Sequence, residues 1–352
     1  MVTVRVPLVE PRDASYDILI GRGLLREVEK ILARYCPATA YAIISDSHVG
    51  KLYGEDVVKR LSAIGYRAEL LTFPAGEWNK TRETWAVLSD RMLSAHFGRE
   101  CAVLALGGGV VTDVAGFVAA TYLRGVPLVQ IPTSLLAMID SSIGGKTGVD
   151  VPAGKNLLGS LSSVQLSAGL AEALKHGVIA DAEYFAFLER EYAAIFAKDA
   201  RALHRVVQRS VEIKAEVVAQ DEREAGKRAV LNFGHTIGHA VEATSKYEVA
   251  HGEAVAIGML YEARVAESVG IAPRDLAERI ARALEQLHLP LELPDSNRAD
   301  DLLEAMRADK KARAGKIRMA LPSQIGRMHG SDGTGWTVAV DESSLRQVLV
   351  NR

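Results

Sequence analysis

The chain has 352 residues, 48% of them hydrophobic, enough for two packed cores rather than one. Lys plus Arg number 42 against 44 for Asp plus Glu, a net charge of -2, so no global basic field exists to hold nucleic acid or an anionic membrane. Cys36 and Cys101 alone supply neither a disulfide framework nor a Cys-rich metal site. The first residues lack a basic start followed by an apolar core, and no apolar run approaches the roughly 20 residues that span a bilayer, so a soluble, unexported, cytoplasmic protein is expected.

Up to about residue 134, β-branched runs alternate with amphipathic segments. Strands are expected at 16–20, 40–45, 68–73, 102–106 and 128–131, and helices at 24–35, 53–64, 81–95 and 113–121. Strands separated by helices of this length imply a parallel sheet covered on both faces. Beyond about residue 165, apolar residues recur at three- and four-residue spacing over 200–220, 232–246, 252–269 and 273–287, the signature of a mostly helical half. Residues 288–295 read as a Pro-rich connection, 300–308 as a helix and 317–321 as an apolar strand-like run. The expected division is an α/β domain over 1–160 and a mostly helical domain over 161–352.

The expected strand at 102–106 runs into Gly107-Gly108-Gly109, which opens a helix and leaves bare backbone N–H groups at a helix N-terminus, where a pyrophosphate can approach. The pattern is not G-x-G-x-x-G, and a tight turn without any ligand explains three glycines equally simply. Asp46 ends an earlier strand, where its carboxylate could accept ribose hydroxyls. Glu77 and Lys80 end another, so polar groups gather at strand C-termini, where α/β sheets bind ligands.

Residues 131–148 are the densest polar stretch in an apolar region, with Asp140 and Lys146 at their centre. Gly144-Gly145-Lys146-Thr147 resembles the end of a Walker A loop, but Asp140 stands where that motif needs its first glycine, so the P-loop reading fails. Lys155 and Asn156 follow; with Lys146 they either meet phosphate oxygens or belong to an ordinary surface. In the helical half His235 and His239 share one helix face at a spacing of four, and His251 follows beside Gly252-Glu253. Neutral imidazoles with a carboxylate suit zinc or a similar divalent ion. Glu172, three residues before Lys175, reads on spacing alone as half of a helical salt pair. Lys214, Arg228 and Asn232 are either anion clamps or solvated helix groups.

With these stretches side by side, the chain resembles the 3-dehydroquinate synthase family of sugar phosphate cyclases. The likeness runs over almost the whole length, through 107–117, 121–125, 140–147, 154–156, 167–172, Lys175, 221–224, 231–239, 251–253 and 309–311. It implies an N-terminal Rossmann-like NAD-binding α/β domain, an all-α C-terminal metal-binding domain, a homodimer, and zinc or cobalt. By the same resemblance Glu172, His235 and His251 ligate the metal. His239 is then a polar partner of substrate and proton transfer, not a ligand, which differs from the reading on spacing alone. NAD is held by Asp46, Glu77, Lys80, Gly108, Gly109, Val110, Asp113, Thr133 and Ser134, with Lys155 on the same side. Substrate meets Asp140, Lys146, Asn156, Lys175, Lys214, Arg228, Asn232 and one of Lys310 or Lys311, while Arg124 reaches the phosphate from the partner subunit.

The family closes 3-deoxy-D-arabino-heptulosonate 7-phosphate to 3-dehydroquinate, borrowing NAD for an oxidation that is later reversed. Lys214 and Arg228 resemble the basic pair that receives the substrate carboxylate, which favours this activity over an inosose or valiolone synthase. Other readings are a metal-dependent polyol dehydrogenase and a catalytically silent ligand-binding relative. Three departures stand out. After residues 154–160 the family continues through another strand and loop, roughly twenty residues, before the segment matching 161–170. Here the two run together, on the side where the family contacts NAD, and the intact flanking motifs favour a passed-over segment rather than a true deletion. Thr112 stands where glycine is common, and the stretch 330–336 is unusual.

Overall fold

The computed structural model describes residues 16–143, 149–150, 163–221, 226–245, 248–294, 298–308, 317–331, 333 and 335–350. The N-terminal half alternates β1 (Ala40–Asp46), α2 (Glu55–Ala63), β2 (Arg67–Phe73), α3 (Arg82–Ser94), β3 (Cys101–Gly107), α4 (Gly109–Thr121), β4 (Leu128–Pro132) and β5 (Val149–Asp150), with α1 (Val28–Tyr35) preceding β1. All strand pairs are parallel, in the order β2-β1-β3-β4-β5. This is the flavodoxin-like variant of the doubly wound sheet, whose strand order reverses between β1 and β3 and opens a crevice there.

β3 is buried along its whole length, which its continuous apolar run requires of a central parallel strand. Its side chains alternate between two cores. Ala102, Leu104 and Leu106 meet Val28 and Leu32 of α1 and Val57 and Leu61 of α2 on one face. Val103 and Ala105 meet Leu88 and Met92 of α3 and Val111 and Val118 of α4 on the other. Residues 16–20, expected as a strand, make only an isolated bridge at Ile18. Ile18 and Ile20 pack instead against the helical core, so tertiary burial overrides their β-branched character. Both cysteines are buried thiols pushed up by burial, Cys36 to about 11.

The C-terminal half contains α5 (Ser163–Ala180), α6 (Ala182–Phe196), α7 (Ala200–Gln220), α8 (His235–Thr244), α9 (His251–Ser268), α10 (Leu276–Gln286), α11 (Ala299–Ala308) and α12 (Glu342–Val350). Two small antiparallel pairs accompany them: β6 (Ile317–Met319) with β9 (Val338–Val340), and β7 (Pro322–Gln324) with β8 (Arg327–Met328). The apolar run expected at 317–321 thus returns to pair near the C-terminus. Leu135, Met138, Ile139 and Ile143, which follow β4, are buried in the helical core, so this segment ties the two halves together. α9 is the central helix and lies almost against the backbone of α8. A Cβ on Gly258 would sit 1.9 Å from the carbonyl oxygen of Gly234, so glycine is obligatory at that crossing. Among the described residues no helix is long and apolar enough to cross a membrane. The junction of Ser160 with Leu161 lies outside the described residues.

Candidate active site

Three helices of the C-terminal half converge on one carboxylate. Glu172 of α5 is completely buried, and its Oε1 lies 3.5 Å from Nε2 of His235 on α8 and 3.7 Å from Nε2 of His251 on α9. One potential ligand atom from each lies within 4.8 Å of the others. A tetrahedral ion with bonds of about 2.0–2.1 Å sets its ligand atoms roughly 3.4 Å apart, so this spacing suits zinc or cobalt with little movement. Lys175 Nζ forms an ion pair with Glu172 Oε2, yet neither carboxylate oxygen accepts a hydrogen bond of sound geometry. A buried carboxylate left short of hydrogen bonds is a place that a cation fits.

Both imidazoles are already turned for that task. Nδ1 of His251 lies 2.9 Å from Oε1 of Glu242. A carboxylate accepts only, so a proton sits on Nδ1, and Nε2, the nitrogen turned toward Glu172, is the one that an ion would take. Nδ1 of His235 lies 3.2 Å from the Phe233 carbonyl, with the same consequence. Burial pushes the Glu172 carboxyl up, but Lys175 and the two imidazoles outweigh it and hold the group well below the carboxylate range. Burial, helped by the Lys175 charge, pushes His235 down to about 3. Burial also lowers His251, but the Glu172 and Glu242 carboxylates on either side of the ring outweigh it and carry it up to about 10. The two rings differ because His251 touches two carboxylates, whereas His235 is more buried and has a neutral carbonyl as its second partner.

Asp140 sits in a π-helical turn, Ala137–Ser141, beside this group. Lys214 of α7, only 8% exposed, donates to its Oδ1 at 2.6 Å and its carbonyl at 2.5 Å. Burial pushes the Asp140 carboxyl up and Lys214 pulls it further down, leaving it below its ordinary value. His176, one turn after Glu172, is completely buried, and burial pushes it down to about 3. It forms a second potential ligand set with Asp140 and Glu172, but the amines of Lys175 and Lys214 oppose another cation there. Arg228 and Asn232 lie on the 3-10 segment Lys227–Asn232, which Asp221 anchors by accepting from the N–H groups of Gly226 and Arg228.

His239 is exposed. Its ring centre lies 5.3 Å from that of His235 and 6.5 Å from that of His251, outside the three-residue ligand set. Arg124 is exposed on the turn after α4, where Leu123 and Arg124 both hold positive φ. Lys146, Lys155, Asn156, Lys310 and Lys311 lie outside the described residues.

A second set of expected site residues gathers at the sheet crevice. Asp46 ends β1 and Gly108 follows β3, on the two strands that flank the switch point. α4 starts at Gly109 with no side-chain cap from Gly108, which leaves backbone N–H groups for an anion. A Cβ on Gly108 would lie 3.4 Å from Ser134 Oγ, at the edge of van der Waals contact, so Ser134 lines the same cradle. Lys80 links Glu77, at 3.7 Å, to Asp113, at 2.6 Å, and the Thr133 N–H donates to Gly107 O at 2.9 Å. Asp46 Oδ1 accepts from the N–H groups of His48 and Val49, so its carboxylate is held in place at the strand end. Val110 is half-buried on the first turn of α4. The donor set and the cradle fit a dinucleotide. Thr112 is absorbed without disturbance, donating to Gly109 O at 2.8 Å and pairing with Ser141 Oγ at 2.9 Å.

A family model described as 3-dehydroquinate synthase N-terminal matches residues 70–180, and one described as 3-dehydroquinate synthase C-terminal matches residues 169–312. A 3-dehydroquinate synthase from Symbiobacterium thermophilum is 46% identical over 336 residues, covering 90% of this chain and 94% of the relative. The chain belongs to the 3-dehydroquinate synthase family. A second 3-dehydroquinate synthase, from Synechococcus sp., is 40% identical over 372 aligned residues, covering 99% of this chain and 98% of the relative. That alignment is longer than the chain itself, so the relative carries residues this chain lacks. Among solved structures, a 2-epi-5-epi-valiolone synthase from Streptomyces hygroscopicus subsp. jinggangensis 5008 with NAD+ and Zn2+ bound matches with a TM-score of 0.86 at 30% identity, covering 98% of each chain. The parallel α/β half and the helical half are therefore those of a sugar phosphate cyclase.

Three buried or half-buried groups of this family member escaped the sequence reading. Glu242 lies a heptad after His235, hence on the same face of α8, a spacing that could have flagged it. His176 lies four after Glu172, which carries the same signal. Glu262 has no such sign, because a glutamate in a long helix reads as a solvated position.

Proposed function

We propose that the chain is a 3-dehydroquinate synthase, which converts 3-deoxy-D-arabino-heptulosonate 7-phosphate to 3-dehydroquinate and phosphate, the second step of the shikimate pathway. It would act in the cytoplasm as a homodimer, with NAD and one zinc or cobalt ion. The observation that supports this best is the set of Glu172, His235 and His251 gathered about a fully buried carboxylate, with two buried lysines beside it.

When bound, NAD supplies a transient hydride acceptor and the divalent ion a Lewis acid for the substrate's hydroxyl pair. Glu172, His235 and His251 would hold the ion, and the N–H groups at the start of α4, with Asp46, Glu77, Lys80, Asp113, Thr133, Ser134 and Lys155, would hold NAD. Lys214 has three N–H donors, two of them engaged by Asp140, which leaves one for the substrate carboxylate beside Arg228. Asp140 thereby fixes that ammonium in a water-poor place, where a charge-assisted contact is strong. Lys175 keeps Glu172 ionised and offers its remaining N–H groups to substrate oxygens. Asn232 would orient a substrate hydroxyl. His239, exposed beside the imidazole pair, would pass a proton at a ring nitrogen. Lys146, Asn156, one of Lys310 or Lys311, and Arg124 of the partner subunit would bind the phosphate end, where positive charge favours its departure.

The test is phosphate release from 3-deoxy-D-arabino-heptulosonate 7-phosphate by the metal-loaded protein with NAD, following absorbance at 340 nm in the same cuvette. Release that a chelator abolishes, without a rise in absorbance, is expected. An inert protein would overturn the proposal, and NADH accumulating with glycerol would favour a polyol dehydrogenase.

A further inference from the structure

Besides Glu172, one other glutamate is completely buried among the described residues: Glu262, about three turns beyond His251 on α9. A carboxylate out of water has to be met by donors, and the nearest ones belong to the backbone of α8. The first turn of a helix leaves its N–H groups without partners, and Gly234, which precedes His235, has no side chain to cap them. Glu262 does so from the neighbouring helix. Its Oε2 accepts from the Gly234 N–H at 2.8 Å and its Oε1 from the Ile237 N–H at 3.0 Å. These two donors bracket His235. The negative charge also faces the positive end of the α8 dipole, so the carboxylate and the helix end satisfy each other.

Gly234 holds φ +80, and an added Cβ there would meet Met259 Cγ at 2.6 Å and the Val255 carbonyl at 3.0 Å, both on α9. The turn that delivers His235 is therefore pressed onto α9 and pinned there by Glu262. The same helix starts with His251, so one rigid element sets both imidazoles against Glu172.

We propose that Glu262 is a positioning residue of the metal centre, clamping the first turn of α8 to α9 so that Nε2 of His235 keeps the separation from Glu172 and His251 that an ion requires. The proposal rests on the metal reading above.

The test uses full-length protein stripped with a chelator and titrated with Co2+, whose visible absorption reports its coordination geometry. Glu262→Gln replaces one acceptor with a donor that opposes a backbone N–H; it is expected to weaken Co2+ binding about 10- to 100-fold and to alter the visible band. Glu262→Asp keeps the charge and is expected to recover part of both. Variants that lose thermal stability yet keep the wild-type Co2+ affinity and spectrum would overturn the proposal, leaving Glu262 as a cap alone. Should Glu262→Gln fail to fold, Glu262→Asp decides through the same two readouts. Wild-type protein that binds no Co2+ would overturn the metal reading and this proposal together, a result seen before any variant is compared.

Discussion

Glu242 Oε1 and His251 Nδ1 lie 2.9 Å apart, an arrangement that commits the imidazole to presenting Nε2 to Glu172. Partners of this kind fix the tautomer and raise the basicity of a metal-binding histidine. Glu242→Gln retains one acceptor but lets the amide turn a donor toward Nδ1, so Co2+ affinity should fall about 10- to 100-fold by competition with a chromophoric chelator. An unchanged affinity would mean that the contact does not orient the ring.

His235 and His239 share a helix face, but only His235 is directed at Glu172. His235→Ala should abolish metal-dependent stabilisation, whereas His239→Ala should retain it and lose activity. At free metal about 100 times the dissociation constant, binding adds roughly 2.7 kcal/mol to the folded state, readily seen as a higher melting temperature. His239→Ala protein that no longer responds to metal would reassign the ligand set.

Asp181 caps α6 by accepting from the Tyr184 N–H at 2.9 Å, and its other oxygen pairs with Arg209 Nε at 2.6 Å. Burial raises this carboxyl, but the Tyr184 N–H and Arg209 together lower it below its ordinary value of 3.8. A carboxylate lowered in the folded state contributes stability that is present above the unfolded value and disappears as pH falls through the folded one. Asp181→Ala should therefore cost about 1–2 kcal/mol near neutral pH. Urea unfolding at a series of pH values should show that the charge-dependent part of this cost is constant down to about pH 4 and shrinks below it. A cost that stays constant below that pH would show the cap to be independent of charge.

At Gly258 two effects oppose each other. Alanine in a helix interior gains up to about 1 kcal/mol over glycine, but here its Cβ would sit 1.9 Å from the Gly234 carbonyl oxygen, and backbone cannot yield cheaply. Overpacking costs about 1–3 kcal/mol or more, so the clash wins. Gly258→Ala should lower the melting temperature of the metal-free protein and also weaken metal binding, because separating α8 from α9 moves His235. A more stable variant would show that the crossing has room.

Much of the architecture was legible from local pattern. The apolar run of β3 followed by Gly107-Gly108-Gly109 marks a buried strand turning into a helix, and the periodicity over 200–220 coincides with α7. Patterns of period two and 3.6 report which side of an element is buried, whatever buries it. The strand expectation at 16–20 failed for the same reason: β-branched residues seek burial, and there the helical core supplied it.

The site was legible as chemistry but not as geometry. Histidines at 235, 239 and 251 announce a metal-capable cluster, and the lysines announce an anionic substrate; these are properties of residue types and short spacings. Spacing could not choose between His235 and His239, because a helix places both on one face; it read Glu172 as half of a helical salt pair and did not single out Glu242 or Glu262. That choice belongs to the tertiary structure. Glu172, His235 and His251 stand on three helices, and their approach to within 4.8 Å depends on how closely α5, α8 and α9 pack. Contacts between bare glycine backbone and a buried carboxylate set that closeness across long stretches of chain, where no local pattern reaches.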